Sequence, residues 1–203
     1  MSLQVSDSQS SRFERGFKTW AENTAVSIRT RLQLGSTDPL PPKALADQLG
    51  VRIWTPHDVP GLSREALNHL VSSAGDEWSA LTIHVGDVGV IVINPTHSRA
   101  RQASDLMHEL SHVIRGHKPS QIHHLLDGSL VSLRTFDDLQ EAEADWLAGC
   151  LLLPRVVLAH CAAKGMSPHD ACELYGTSHD LYKYRANITG VNRQFAGTRR
   201  RAN

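Results

Sequence analysis

The chain has 203 residues, with 21 Lys+Arg balanced by 21 Asp+Glu, a length that suits one domain with at most a small appendage. Zero net charge gives no overall field to hold nucleic acid or an anionic membrane, and 40% apolar residues against 21% charged set the chain apart from disordered sequences. The apolar runs are short and interrupted, so no bilayer-spanning segment and no membrane partner are expected; the count that stands out is histidine, at 12.

Residues 1–11 are rich in Ser and Gln and are expected to be disordered. The first 20 residues lack the apolar core of a secretory signal. Three cysteines, Cys150, Cys161 and Cys172, are too few and too odd in number for a disulfide framework. A cytoplasmic chain with reduced thiols used as small packing residues is the expectation.

From Arg12 to Leu34 the residues Phe13, Phe17, Trp20, Ile28 and Leu32 follow helical spacing, and Gly35 stops the segment. After Pro39, Pro41 and Pro42, "PKALADQLG" reads as a short helix and "VRIWT" as a strand. Residues 63–73 suggest another short helix. Residues 79–85 and 88–95 are β-rich runs joined by Gly86-Asp87, a hairpin signal. Between Ser98, an N-cap residue, and Gly116 the apolar positions 103, 106, 107, 110, 113 and 114 make one helix face. Residues 117–136 read as irregular. A helix from about Asp137 to Leu153 stops at Pro154, and shorter helices cover about 155–164 and 167–187, the last broken at Gly176-Thr177-Ser178. The expected organisation is a domain over 12–160, a helix-turn-helix-like element over 161–190 and a basic flexible tail over 191–203.

The helix from Ser98 contains His108-Glu109-Leu110-Ser111-His112, an H-E-x-x-H match. Residues four apart share a helix face at about 5–6 Å between Cβ atoms, so two imidazoles can reach one zinc ion. Glu109, one step round, is then placed to act as general base toward a water activated there. Leu106, Leu110, Val113 and Ile114 are expected to pack on the other side. A third ligand is needed, and the next helix supplies it: Glu141, with Asp145 one turn on to accept a hydrogen bond from a ligand histidine. Leu139, Ala142, Trp146 and Leu151 are the expected packing face. Glu143 is the competing ligand, two residues from Glu141 and on a different side. His117 misses the spacing of the longer three-histidine signature and, like His123 and His124, reads as a loop histidine.

These blocks resemble the ImmA/IrrE metallopeptidases, zinc proteases of bacteria and their mobile elements, several of which act on DNA-binding repressors. The resemblance runs from about residue 20 to 190. Its specific parts are "INPTHSRARQASDLMHELSHVIRGH" and "EAEADWLAGCLLLP"; "PPKALADQLGVRIW" and "ACELYGTSHDLYKYRANITG" are weaker. It implies Zn²⁺ on His108, His112 and Glu141, with Glu109 as base and Asp145 supporting a ligand, and a protein substrate, a repressor. Ser111 stands where Gly is common in the family, Asp145 where Asn is, and Leu147 where Phe is. The fold it implies is α+β and zincin-like: a small three-stranded sheet on the H-E-x-x-H helix and the third-ligand helix, with helical segments at both ends. Tyr182, Tyr184, Arg185 and His179 are candidate donors to the developing oxyanion.

Two other readings belong to different classes. Residues 160–203 carry seven basic and three acidic side chains, which raises direct DNA binding through the helix-turn-helix-like element, though a plain helical hairpin with a solvated tail is favoured. A metal-bound regulator that acts without proteolysis has the same ligand set.

Overall fold

The computed structural model describes residues 12–72, 78–85, 88–118, 123–124, 130–131 and 137–199. Its centre is a pair of helices, α4 (Arg99–Arg115) and α5 (Asp138–Leu152), which pack on each other and on α1 (Phe17–Arg31). The contact faces follow from side-chain size. Ala21 and Ala25 on α1 and Ala144 and Ala148 on α5 are buried at i, i+4 spacing, which lets the backbones approach while Ile28, Leu106, Met107, Leu110, Leu147 and Leu151 fill the space between. Burial of this apolar set, rather than helix propensity, supplies most of the helices' stability.

Against α4 lies a three-stranded sheet of β1 (Arg52–Trp54), β2 (Ala80–Val85) and β3 (Val88–Ile93), ordered β1-β3-β2. The hairpin β2–β3 is antiparallel, with Thr82 opposite Ile91, and β1 pairs in parallel with β3 through Ile53 and Ile91. β3 takes the centre because Val90 and Ile91 are buried, as a strand covered on both faces requires. The parallel pair needs a long crossover, and α3 (Arg64–Val71) lies within it. α2 (Pro42–Gln48) leads into β1.

The C-terminal end of α5 is held by two arginines from elsewhere in the chain. The last carbonyls of a helix lack intrahelical donors, and here Arg29 of α1 donates to Leu151 O at 2.9 Å and to Asp38 O at 2.9 Å. Arg185 donates to Leu153 O at 3.1 Å and to Glu22 Oε1 at 2.5 Å. Beyond Pro154 come α6 (Arg155–Lys164), α7 (Pro168–Tyr175), α8 (His179–Ile188) and α9 (Val191–Arg199).

Several sequence expectations need correction. Residues 191–199 form a helix, anchored by buried Val191 and by Phe195 against the core, instead of a loose tail. The span 117–136 is not wholly irregular: β4 (His123–His124) and β5 (Leu130–Val131) pair antiparallel. On α5, Leu139 is exposed and Trp146 half-buried; the packed face is Ala144, Leu147, Ala148 and Leu151. On α4, Met107 is buried and Val113 exposed. Asp138–Lys164 is long and apolar enough by composition to cross a membrane, yet it is two helices broken at Pro154 and mostly buried against its neighbours, as a core element is. The expected disorder of 1–11, and the end of the expected tail at 200–203, lie outside the described residues.

Candidate metal centre

Ser98 caps α4, its hydroxyl accepting from Arg101 N at 3.3 Å. The turn before it is fixed by Asn94, whose Oδ1 accepts from Thr96 N and Oγ1 at 3.0 and 2.7 Å. Buried His97 sits with Nδ1 3.3 Å from Asp105 Oδ2. Asp137 caps α5, accepting from Leu139 N and Gln140 N at 2.9 and 2.8 Å. With both helices started in register and packed together, the side chains facing across the seam are fixed.

His108, His112 and Glu141 converge there. The Nε2 atoms of the two histidines are 3.1 Å apart. Glu141 Oε2 is 3.2 Å from His108 Nε2, and its Oε1 is 3.8 Å from His112 Nε2. Among the described residues this is the one group of His, Cys and acidic side chains whose donor atoms lie within 4.8 Å of one another. Two imidazole nitrogens and a carboxylate oxygen match the three-protein-ligand set of a catalytic zinc site, and the carboxylate offsets part of a dication's charge. The residues present therefore fit a metal ion.

Around this set, Asp145 Oδ1 accepts from His108 Nδ1 at 2.8 Å. Burial opposes protonation of His108. The hydrogen bond and charge of Asp145, with the charges of Glu109 and Glu141, outweigh it and leave the imidazole pKa above its ordinary value. Glu109 accepts a short hydrogen bond from the hydroxyl of Thr82 on β2, so the sheet fixes the side chain that follows the first histidine.

Glu143 points elsewhere. It is buried, and Arg115 donates to it from Nε at 2.6 Å and from Nη2 at 3.2 Å. Burial pushes its carboxyl pKa up, but the hydrogen bonds and charges of Arg115 and His117 outweigh that and hold it below the usual range. His117 Nε2 is 3.1 Å from Glu143 Oε2, and His117 Nδ1 is 2.9 Å from His112 Nδ1. His117 lies in the loop after α4, as expected, but its side chain is buried between a member of the convergent set and a carboxylate.

The local cause is the end of α4. Gly116 takes φ 72, its N–H bonds Val113 O at 3.2 Å and the N–H of His117 bonds His112 O at 3.0 Å. This is a Schellman ending, which folds the residue after the glycine back over the residue five before it. A His-x-x-x-Gly-His reading of 112–117 carried that signal in the sequence.

His108 and Glu141 line a cleft of about 650 Å³ together with Arg12, Phe13, Trp146 and Tyr184. Of the four oxyanion candidates, Tyr184 lines this cleft. His179 and Tyr182 line a different hollow with Met166 and Phe195, and Arg185 is buried against Leu153 and Glu22. Burial raises the Tyr184 phenol above its ordinary pKa, so it remains a donor near neutral pH.

In comparisons with known proteins, the sequence model of the family described as IrrE N-terminal-like domain (Peptidase_M78) matches residues 64–187, more than half of the chain. No curated protein and no solved structure matches.

Proposed function

From the chain's membership of the IrrE N-terminal-like family (Peptidase_M78), a metallopeptidase family, we propose that it is a zinc-dependent endopeptidase cleaving a DNA-binding repressor in bacterial stress or mobile-element control. The observation that carries this reading is the convergence of His108, His112 and Glu141, with His108 and Glu141 lining the cleft and His108 also lining a second hollow with Glu109. His108, His112 and Glu141 would hold the ion. When bound, zinc polarises a carbonyl and lowers the pKa of water.

The chain's own residues supply the rest. Glu109, oriented by Thr82, takes a proton from the attacking water as its oxygen bonds the scissile carbonyl carbon. The same carboxyl then delivers that proton to the amide nitrogen as the C–N bond breaks. The Tyr184 hydroxyl is the donor we assign to the oxyanion, because it lines the same cleft. Three buried, unpaired cysteines favour action in a reducing compartment, the cytoplasm.

The DNA-binding alternative loses support from burial. Arg185, one of the basic residues counted toward such a surface, is turned into the core, and α8 lies against the cleft and the core instead of standing free. Proteolysis and non-proteolytic regulation are separated by one experiment: incubate the zinc-loaded protein, as wild type and as Glu109→Gln, with a repressor encoded beside it. Cleavage by wild type, slowed about 10²–10⁴-fold in the variant, is expected. Equal repressor integrity in both would overturn the proposal for that substrate.

A further inference from the structure

We infer that His117, backed by Glu143, is a positioning residue that fixes His112 in the tautomer whose Nε2 lone pair is free for a metal. The inference rests on the metal reading above and goes beyond it. His112 has no exposed side-chain surface, so both of its ring nitrogens must be satisfied inside the protein. Its Nε2 faces His108 Nε2 and Glu141. Its Nδ1 lies 2.9 Å from His117 Nδ1.

Two neutral imidazoles that meet nitrogen to nitrogen must divide the roles, one N–H donating and one lone pair accepting. The direction is set at the far end. His117 Nε2 lies 3.1 Å from Glu143 Oε2, an ionised carboxylate that can only accept. His117 therefore carries its proton on Nε2, which leaves Nδ1 as the acceptor. His112 must then donate from Nδ1, and its Nε2 is left as a lone pair. Arg115 keeps the chain oriented by occupying both oxygens of Glu143. It is itself stacked at 5.5 Å over the ring of Phe17 and at 5.3 Å over Trp20, so α1 anchors the far end of a path that begins at the metal ligand. The other histidine is treated differently, His108 Nδ1 meeting Asp145 directly. Each ligand thus has a carboxylate behind it, one by a single step and one through an intervening imidazole. Outer partners of this kind typically carry a 10–100-fold effect on metal affinity.

The test compares His117→Phe with His117→Gln. Phenylalanine keeps the ring's bulk but offers His112 no acceptor. Glutamine loses the ring but can accept through Oε1 and donate to Glu143 through its amide. The readout is zinc affinity of the full chain by competition against a chelator, with the apo melting temperature followed in parallel. Expected is a loss of about 10–100-fold in His117→Phe and of no more than about threefold in His117→Gln. Wild-type affinity in His117→Phe, or equal losses in both variants, would overturn the hydrogen-bond chain while leaving the metal reading intact. A wild-type protein that holds no zinc would overturn both. If His117→Phe does not fold, Glu143→Leu, which leaves His117 Nε2 no acceptor at that position, serves in its place, with a loss of affinity supporting the chain and wild-type affinity overturning it.

Discussion

Glu22 of α1 is the joint between the N-terminal helix and the C-terminal helices, and Glu22→Ala is expected to destabilise the whole fold. Its Oε1 accepts from Arg185 Nη2 at 2.5 Å, and its Oε2 accepts from the Arg155 backbone N–H at 2.8 Å, the first residue of α6. The Arg185 side chain is 1% exposed and that of Glu22 27%. Removing one partner of a buried ion pair costs about 3–5 kcal/mol because the other charge stays buried and unpaired. Partial exposure of Glu22 places this pair at the lower end, and the lost charge-assisted bond to α6 adds about 1 kcal/mol. The sum is about 4 kcal/mol, or roughly 8–16 °C in Tm at about 2–4 °C per kcal/mol for a chain of this size. Urea unfolding at pH 7 measures it. A second arm combines Glu22→Ala with Arg185→Met, which removes the stranded charge and is expected to recover part of the loss. A loss below about 1 kcal/mol in Glu22→Ala, or losses in the double variant that simply add within about 0.5 kcal/mol, would refute the reasoning.

Two further outcomes are expected. Glu141→Ala should cost more zinc affinity in chelator competition than Glu143→Ala, whose loss stays within the roughly 10–100-fold range of an outer partner; the reverse order would make Glu143 the third ligand. At alkaline pH the fold should weaken, because burial pushes the Cys150 thiol and the Tyr175 phenol each up to about 12. The folded state then binds these protons more tightly than the unfolded chain does. Their contribution is complete below the unfolded values of about 8.5 and 10 and is lost as pH rises toward 12, at up to about 1.4 kcal/mol per unit per group. Denaturant midpoints between pH 8 and 11 check this. A Tyr175→Phe variant should show a shallower fall above pH 10, and an unchanged slope would remove Tyr175 from the account.

The sequence by itself determined what depends on near neighbours. Ser98, Asp137 and Ser178 stand before helices they cap, and the alternating run over 79–95 contains the hairpin it suggested. The i, i+4 histidines lie on one face because helical geometry alone requires it. Asp145 shares a face of α5 with Glu141 for the same reason, and the packing of α5 on α4 then brings it to His108. Only the tertiary structure decided the rest. Which side of α5 packs inward depends on its neighbours: it is apolar nearly all round in its second half, and α1, α4 and α8 compete for that surface. Glu141 and Glu143 part company in the fold, Arg115 and His117 approaching Glu143 while Glu141 faces His108. Arg29 and Arg185 are both buried on the free carbonyls at the end of α5, more than 30 positions away in the chain. A charge is read in sequence only by its neighbours, whereas its partner in the fold is chosen by which chain segments meet, and that choice placed His117 behind His112.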